Sequence, residues 1–229
     1  MKFGGLNKLT LIDYPGKTSA LVFTIGCNFR CPYCHNPELV DETVKDRIDE
    51  KEVLSFLGKR KGLIEGLVIT GGEPTMHGDE LLNFMKKVKK LNFFVKLDSN
   101  GTNPDFLKTA IKNKLVDYIA MDMKSPTRKY HITANMPVNT DAIKESIKIL
   151  LKGEVDYEFR TTLIKILTSR EDLLEIFEEI KGSKNYALQK FIPNTILNPQ
   201  FLKKTTYSDD ELNELRVEAL KFVKKCQIR

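Results

Sequence analysis

Three cysteines stand within eight residues, Cys27, Cys31 and Cys34, in the run Cys-Asn-Phe-Arg-Cys-Pro-Tyr-Cys. Thiolates this close together can wrap one small inorganic core, and soft sulfur ligands suit zinc or iron–sulfur. Structural zinc closes its shell with four ligands, whereas this loop supplies three. His35 adjoins Cys34 too closely in sequence to make an easy fourth. Cys226 ends a helical stripe of Leu212, Leu215, Ala219 and Phe222 and reads as a buried core thiol. On a four-iron, four-sulfur cube, three thiolates leave one iron open, and an open iron is a binding site rather than a scaffold. Zinc stands as the alternative at this level. Further along the chain lie Gly71-Gly72-Glu73-Pro74, Asp98-Ser99-Asn100-Gly101, Asp122-Met123-Lys124, Arg160-Thr161-Thr162 and Gln189-Lys190-Phe191. Taken singly, the two glycine-containing runs are ordinary turns. Asp122 and Lys124 alone make a surface pair, and Arg160 alone makes a buried structural cation. His35, His77 and His131 show no partnered pattern.

Position turns these fragments into a set. Apolar, β-branched runs predict strands near 19–25, 66–70, 93–98, 116–122, 155–163 and 185–192. Helical stretches lie between them. Asp49 with Glu52, Ser169 with Asp172 and Ser208 with Glu211 fit a cap residue followed three positions later by a carboxylate. Pro104 fits a first helical position. Leu81, Leu82, Met85 and Val88 form one apolar stripe, and Ile143, Ile147, Leu150 and Leu151 another. Gly62 and Gly153 fit left-handed helix ends. Strand and helix alternating six times imply parallel strands joined by right-handed crossovers, with continuous hydrophobicity marking strands covered on both faces. Chemistry in such sheets collects at the carboxyl ends of the strands, where every fragment named above falls.

The 229 residues include 41% hydrophobic and 30% charged residues, the balance of a globular chain large enough to fold without disulfides. No Pro/Gly/Ser linker, repeat or low-complexity segment divides it. One domain spanning 1–229 is expected, with an extension at 1–18, a core at 19–195 and a closing loop and helix at 196–229. Net charge is +6, from 37 Lys and Arg against 31 Asp and Glu, and the basic residues are dispersed, so no nucleic-acid partner is expected. No apolar run approaches the roughly 18 residues of a membrane span, and the first residues lack a signal-peptide core. A cytoplasmic chain with no membrane partner is expected.

The Cys-x3-Cys-x2-Cys spacing with an aromatic before the last Cys resembles the radical S-adenosylmethionine superfamily. Within it, CNFRCPYCHNPE is similar to the glycyl-radical-enzyme activating proteins. The leading GLNKLTLIDYPGKTSALVFTIGCNFRCPYCHNPELV most resembles the longer branch of anaerobic ribonucleoside-triphosphate reductase activating proteins. The resemblance covers about residues 5–195 and implies a partial (β/α)6 barrel, an α/β fold of parallel strands. It further implies that Cys27, Cys31 and Cys34 ligate one [4Fe–4S] cluster, whose open iron chelates S-adenosylmethionine. Tyr33 would lie by the adenine. Gly71, Gly72 and Glu73 match the motif receiving the methionine ammonium. Asp98 and Ser99 match residues beside the cofactor carboxylate, where Asp98 helps hold a monovalent cation. Asp122 and Lys124 match a cofactor-contacting pair, and Arg160 a fifth-strand arginine able to pair with the carboxylate. Thr162, Gln189 and Phe191 are assigned to the cofactor by strand position.

The implied reaction is reductive cleavage of S-adenosylmethionine to a 5′-deoxyadenosyl radical, which takes a hydrogen from a glycine Cα of a partner enzyme. Anaerobic ribonucleotide reductase is the expected partner, with a formate-lyase-type enzyme as the alternative client. A small-molecule or peptide substrate and a non-enzymatic zinc module are the further readings. A flavodoxin or ferredoxin is the implied electron donor. The interval 35–70 holds no cysteine, so a single cluster is expected.

Overall fold

The computed structural model describes residues 1–229. Its strands are β1 (Lys2–Thr10), β2 (Ser19–Thr24), β3 (Ile48–Asp49), β4 (Gly66–Gly71), β5 (Phe94–Ser99), β6 (Tyr118–Asp122), β7 (Asp156–Leu163), β8 (Tyr186–Lys190) and β9 (Cys226–Ile228). The six predicted strands are present as β2 and β4 to β8, and every residue singled out for chemistry lies in or just beyond one of them. Contacts group the chain into two compact units. The first comprises Met1–Asn28, Glu38–Ser99 and Asp105–Ile119, and the second Phe29–Pro37, Asn100–Pro104 and Ala120–Arg229. The sequence reading treats 1–229 as one domain. Each unit is woven from three separated stretches, so no linker composition could announce the division.

In the first unit the strand order is β3-β1-β2-β4-β5. β2, β4 and β5 are parallel, with Ser19 opposite Gly66 and Gly66 opposite Phe94. β1 runs antiparallel to both β2 and β3. The segment expected as a bare extension thus contains a nine-residue strand. Its Gly4-Gly5 pair and dispersed lysines carry no strand periodicity; the free edge of β2 supplies the reason to extend. The helices at Glu50–Lys59 and Gly78–Lys90 return the chain between parallel strands. Glu52 accepts the Asp49 N–H at 3.3 Å at the start of the first. Leu81, Leu82, Met85 and Val88 are buried along the second, as the stripe predicts.

In the second unit β7, β8 and β9 are parallel, with Phe159 opposite Tyr186 and Tyr186 opposite Cys226. The sequence reading puts Cys226 at the end of the closing helical stripe, whereas the structure ends that helix at Ala219 and places Cys226 in β9, which at three residues is too short to show a period. Ser169 accepts the Asp172 N–H at 3.2 Å while Asp172 accepts the Ser169 N–H at 3.0 Å, and Ser208 with Glu211 repeats the box at 3.2 and 2.7 Å. Along β7, Phe159, Thr161 and Leu163 are buried on one face, leaving Arg160 and Thr162 half-buried on the other. Thr162 pairs in register with Gln189, so both share that face. The first two residues of β6 fall in the first unit and the last three in the second. No helix is long and apolar enough to cross a membrane.

Candidate active site

In the first unit the chain leaves β2 through Ile25 and Gly26 to reach Cys27, and the end of β4 is laced against this exit. Gly72 N–H donates to the Thr24 carbonyl at 3.0 Å and Glu73 N–H to the Gly26 carbonyl at 2.8 Å. The approach excludes side chains. A Cβ on Gly71, whose φ is +120°, would lie 2.3 Å from the Thr24 nitrogen, and one on Gly72 would lie 1.8 Å from the Gly26 oxygen. These glycines let two main-chain segments meet, and the strand they meet leads on to Cys27. A ring nitrogen of His77 lies 3.0 Å from the Ile25 carbonyl and ties down the same exit.

Glu73 is 1% exposed, and one of its oxygens, Oε1, accepts from the Thr75 N–H at 3.1 Å, the Thr75 hydroxyl at 2.5 Å and the Ser99 hydroxyl at 2.9 Å. The Gly-Gly-Glu and Asp-Ser-Asn-Gly motifs, far apart in sequence, are thereby joined. A buried carboxylate gripped by donors is aimed before any ligand arrives. Beside it on β5, the Lys96 ammonium is paired with Asp98.

The second unit carries the rest of the cysteine loop and a separate charged group. Cys31 is buried and Cys34 partly so. Leu197 N–H donates to the Cys34 carbonyl and Asn198 N–H to the Pro32 carbonyl, both at 2.9 Å, while Arg30 N–H donates to the Ala134 carbonyl at 2.8 Å. The segment after β8 therefore straps the loop through main-chain bonds, which no side-chain pattern could have disclosed. A ring nitrogen of His35 sits 2.9 Å from the Ile192 carbonyl, and the ring lies 5.7 Å from that of Phe191. Phe191 also meets Tyr33 edge-on at 6.4 Å, so these two predicted residues are in contact. The Tyr33 hydroxyl is buried and bonds to no protein atom.

Asp122 lies between two cations: Lys124 Nζ is 3.0 Å from Oδ2 and Arg160 Nε 2.9 Å from Oδ1. Burial pushes the Asp122 carboxyl upward, but Arg160 and Lys124 outweigh it and hold the group at about 2. Burial disfavours the Lys124 ammonium, and Asp122 more than compensates, so it stays charged far above the ordinary lysine range. Burial lifts the Cys31 thiol to about 11, against the pull of Lys124, and raises Tyr33 as well. The Tyr130 hydroxyl lies 3.3 Å from the Lys124 N–H and supports this group from below the reach of any motif. The arginine predicted to meet a ligand carboxylate is thus engaged by Asp122. Thr162 and Gln189 share a face.

The first unit offers Cys27 and a gripped buried carboxylate, and the second offers Cys31, Cys34, an aspartate with two cations and a buried phenol; thiolates suit an iron–sulfur cluster, and charged groups of both signs suit a zwitterion. No three His, Cys, Asp or Glu side chains converge as the ligands of one ion do; a cube takes its thiolates at separate corners and asks for no such convergence.

The Radical SAM superfamily matches residues 21–180. The "putative glycyl-radical enzyme activating enzyme" MJ1227 of Methanocaldococcus jannaschii is 35% identical over 98% of this chain and 94% of its own. The pyruvate formate-lyase-activating enzyme of Listeria monocytogenes is 26% identical over 80% of this chain and 77% of its own. Among solved structures, SuiB of Streptococcus suis bound to its precursor peptide SuiA superposes with a TM-score of 0.69 at 14% identity, covering 91% of this chain and 48% of that one, a likeness of fold. The family implies a [4Fe–4S] cluster and S-adenosylmethionine, which sets the zinc reading of the cysteine loop aside. With parallel strands, loop and motifs in agreement, the chain belongs to the radical SAM superfamily, as an enzyme of its glycyl-radical-activating group.

Proposed function

We propose that this enzyme installs a glycyl radical on anaerobic ribonucleoside-triphosphate reductase. The observation that carries the cofactor side of this reading is the Ser99 hydroxyl on Glu73 Oε1 at 2.9 Å, which ties two ligand-binding motifs into one preset acceptor. Cys27, Cys31 and Cys34 hold the cluster. Glu73 accepts the ammonium of S-adenosylmethionine, and Ser99 and Thr75 keep its carboxylate oriented and desolvated. Arg160 and Lys124 present positive charge to the ligand carboxylate, with Asp122 fixing where they stand. Tyr33 and Phe191 offer aromatic surface and one hydroxyl to the adenine, with Thr162 and Gln189 on the adjoining strands. Bound together, the two cofactors supply one-electron cleavage of a carbon–sulfur bond and a carbon radical able to take hydrogen from a glycine Cα. A flavodoxin or ferredoxin supplies the electron. The amino-terminal run through Cys34 supports the reductase as client, and a formate-lyase-type enzyme is the second reading, favoured by the 26% identity to pyruvate formate-lyase activation. The test mixes the reduced, cluster-loaded enzyme with S-adenosylmethionine and each client in turn. A glycine-centred doublet by electron paramagnetic resonance on the reductase is expected; a doublet on the formate-lyase alone would reassign the client.

A further inference from the structure

Lys96 is the most buried cation of the first unit's inner sheet face, and none of the roles above uses it. It lies on β5 in register with Val68 of β4, which is itself in register with Leu21 of β2. Parallel partners point to one side, so the lysine stem shares the face where Leu21, Val68 and Tyr14 form an apolar cluster. The side chain is 1% exposed. Its ammonium turns along the strand to the carboxylate of Asp98, two residues on and therefore on the same face, which is itself 13% exposed. An ammonium this far from water persists only against an opposite charge.

Asp98 opens the motif beside which the family resemblance leads one to expect a bound monovalent cation. We propose that the Lys96 ammonium is itself the cation of this place, so that S-adenosylmethionine binds here without sodium or potassium. An ammonium carries the charge of a potassium ion in a similar volume. Tethered to β5, it pays no entropy of capture and is indifferent to the salt outside. A further cation at Asp98 would face a carboxylate already neutralised and a like charge within contact distance. Lys96 is thus a positioning residue: it fixes the Asp98 carboxylate and the local charge, and leaves cofactor contact to Asp98. The inference rests on Asp98 belonging to the cofactor site.

The test titrates S-adenosylmethionine into the cluster-loaded enzyme by calorimetry in potassium, sodium and choline chloride at equal ionic strength, for the wild type and Lys96→Met. The wild-type dissociation constant is expected to agree within twofold across the three salts. Lys96→Met is expected to bind at least tenfold more weakly in choline and to recover in potassium or sodium. In parallel, the melting midpoint of each cluster-free chain is read in the same salts; the wild type should not respond, and the variant should be raised by potassium or sodium over choline. A wild-type affinity or midpoint that falls when choline replaces potassium overturns the proposal, as does a folded Lys96→Met insensitive to the cation. Should Lys96→Met fail to fold, the wild-type salt series decides by itself. A wild type that binds no S-adenosylmethionine in any salt would instead sink the cofactor reading, and the wild-type midpoints would still judge Lys96.

Discussion

Replacing Gly72 by alanine tests whether the cysteine loop is positioned by the glycine pair. The new Cβ would stand 1.8 Å from the Gly26 oxygen and 2.6 Å from its carbon, where real contacts do not fall under 3.0 Å. The Gly26 oxygen must therefore retreat by about 1.2 Å, from 1.8 Å to the 3.0 Å limit. It cannot do so and keep the Glu73 N–H, now at 2.8 Å. Losing that bond between two buried residues costs about 1–3 kcal/mol, and forcing main chain apart costs about 1–3 kcal/mol more. A loss of roughly 4 kcal/mol is expected from urea unfolding of the cluster-free chain. Cys27 follows Gly26 directly, so iron bound per chain after anaerobic reconstitution should fall as well. Gly58→Ala is the internal control: it lies within the Glu50–Lys59 helix with nothing near the new Cβ, and should gain up to about 1 kcal/mol. Gly72→Ala losing less than about 1 kcal/mol, with normal iron content, would refute the argument.

Asp122, held at about 2 instead of 3.8, contributes about 2 kcal/mol of stability that is fully present above pH 4 and is lost as pH falls through 2. Asp122→Asn should therefore be destabilised at pH 6, with the gap to wild type closing toward pH 2 in urea midpoints; a gap independent of pH would contradict the ion-pair account. Glu73→Gln keeps an oxygen for Ser99 and Thr75 but drops the charge, so the fold should change by under about 1 kcal/mol while S-adenosylmethionine binding weakens roughly tenfold to a hundredfold, read by calorimetric titration. Cys27→Ala, Cys31→Ala and Cys34→Ala should each abolish the iron–sulfur absorbance, whereas Cys226→Ala should retain it; iron loss on the last would reopen the ligand assignment. Glu158 is 2% exposed and gripped by Arg229 at 2.9 and 2.6 Å, and Glu158→Gln should cost about 2–4 kcal/mol with iron content unchanged.

Much of this protein is legible in order along the chain. The cysteine loop, glycine turns and cap residues are local: Cys27, Cys31 and Cys34 stand out by their spacing alone, and Ser169 and Ser208 cap helices through bonds to residues three positions on. Parallel strands with continuous apolar runs announce themselves by composition, and their carboxyl ends tell where chemistry gathers. Even Lys96 left a trace, two positions before Asp98 on a predicted strand, where period two puts both on one face.

The rest depends on partners remote in sequence. β1 extends because β2 offers an edge, and β9 because β8 does; neither carries its own period. His77 on the Ile25 carbonyl, Ser99 on Glu73, Leu197 on the Cys34 carbonyl and Arg160 on Asp122 each join residues far apart along the chain. Residue types and spacing determined which groups are present and which metal chemistry they suit. Tertiary structure alone decided which carboxylate is gripped, which cation is spent on a neighbour and which glycine is forbidden a side chain, because hydrogen bonds and charge pairs act over a few ångströms of space, whatever the separation in sequence.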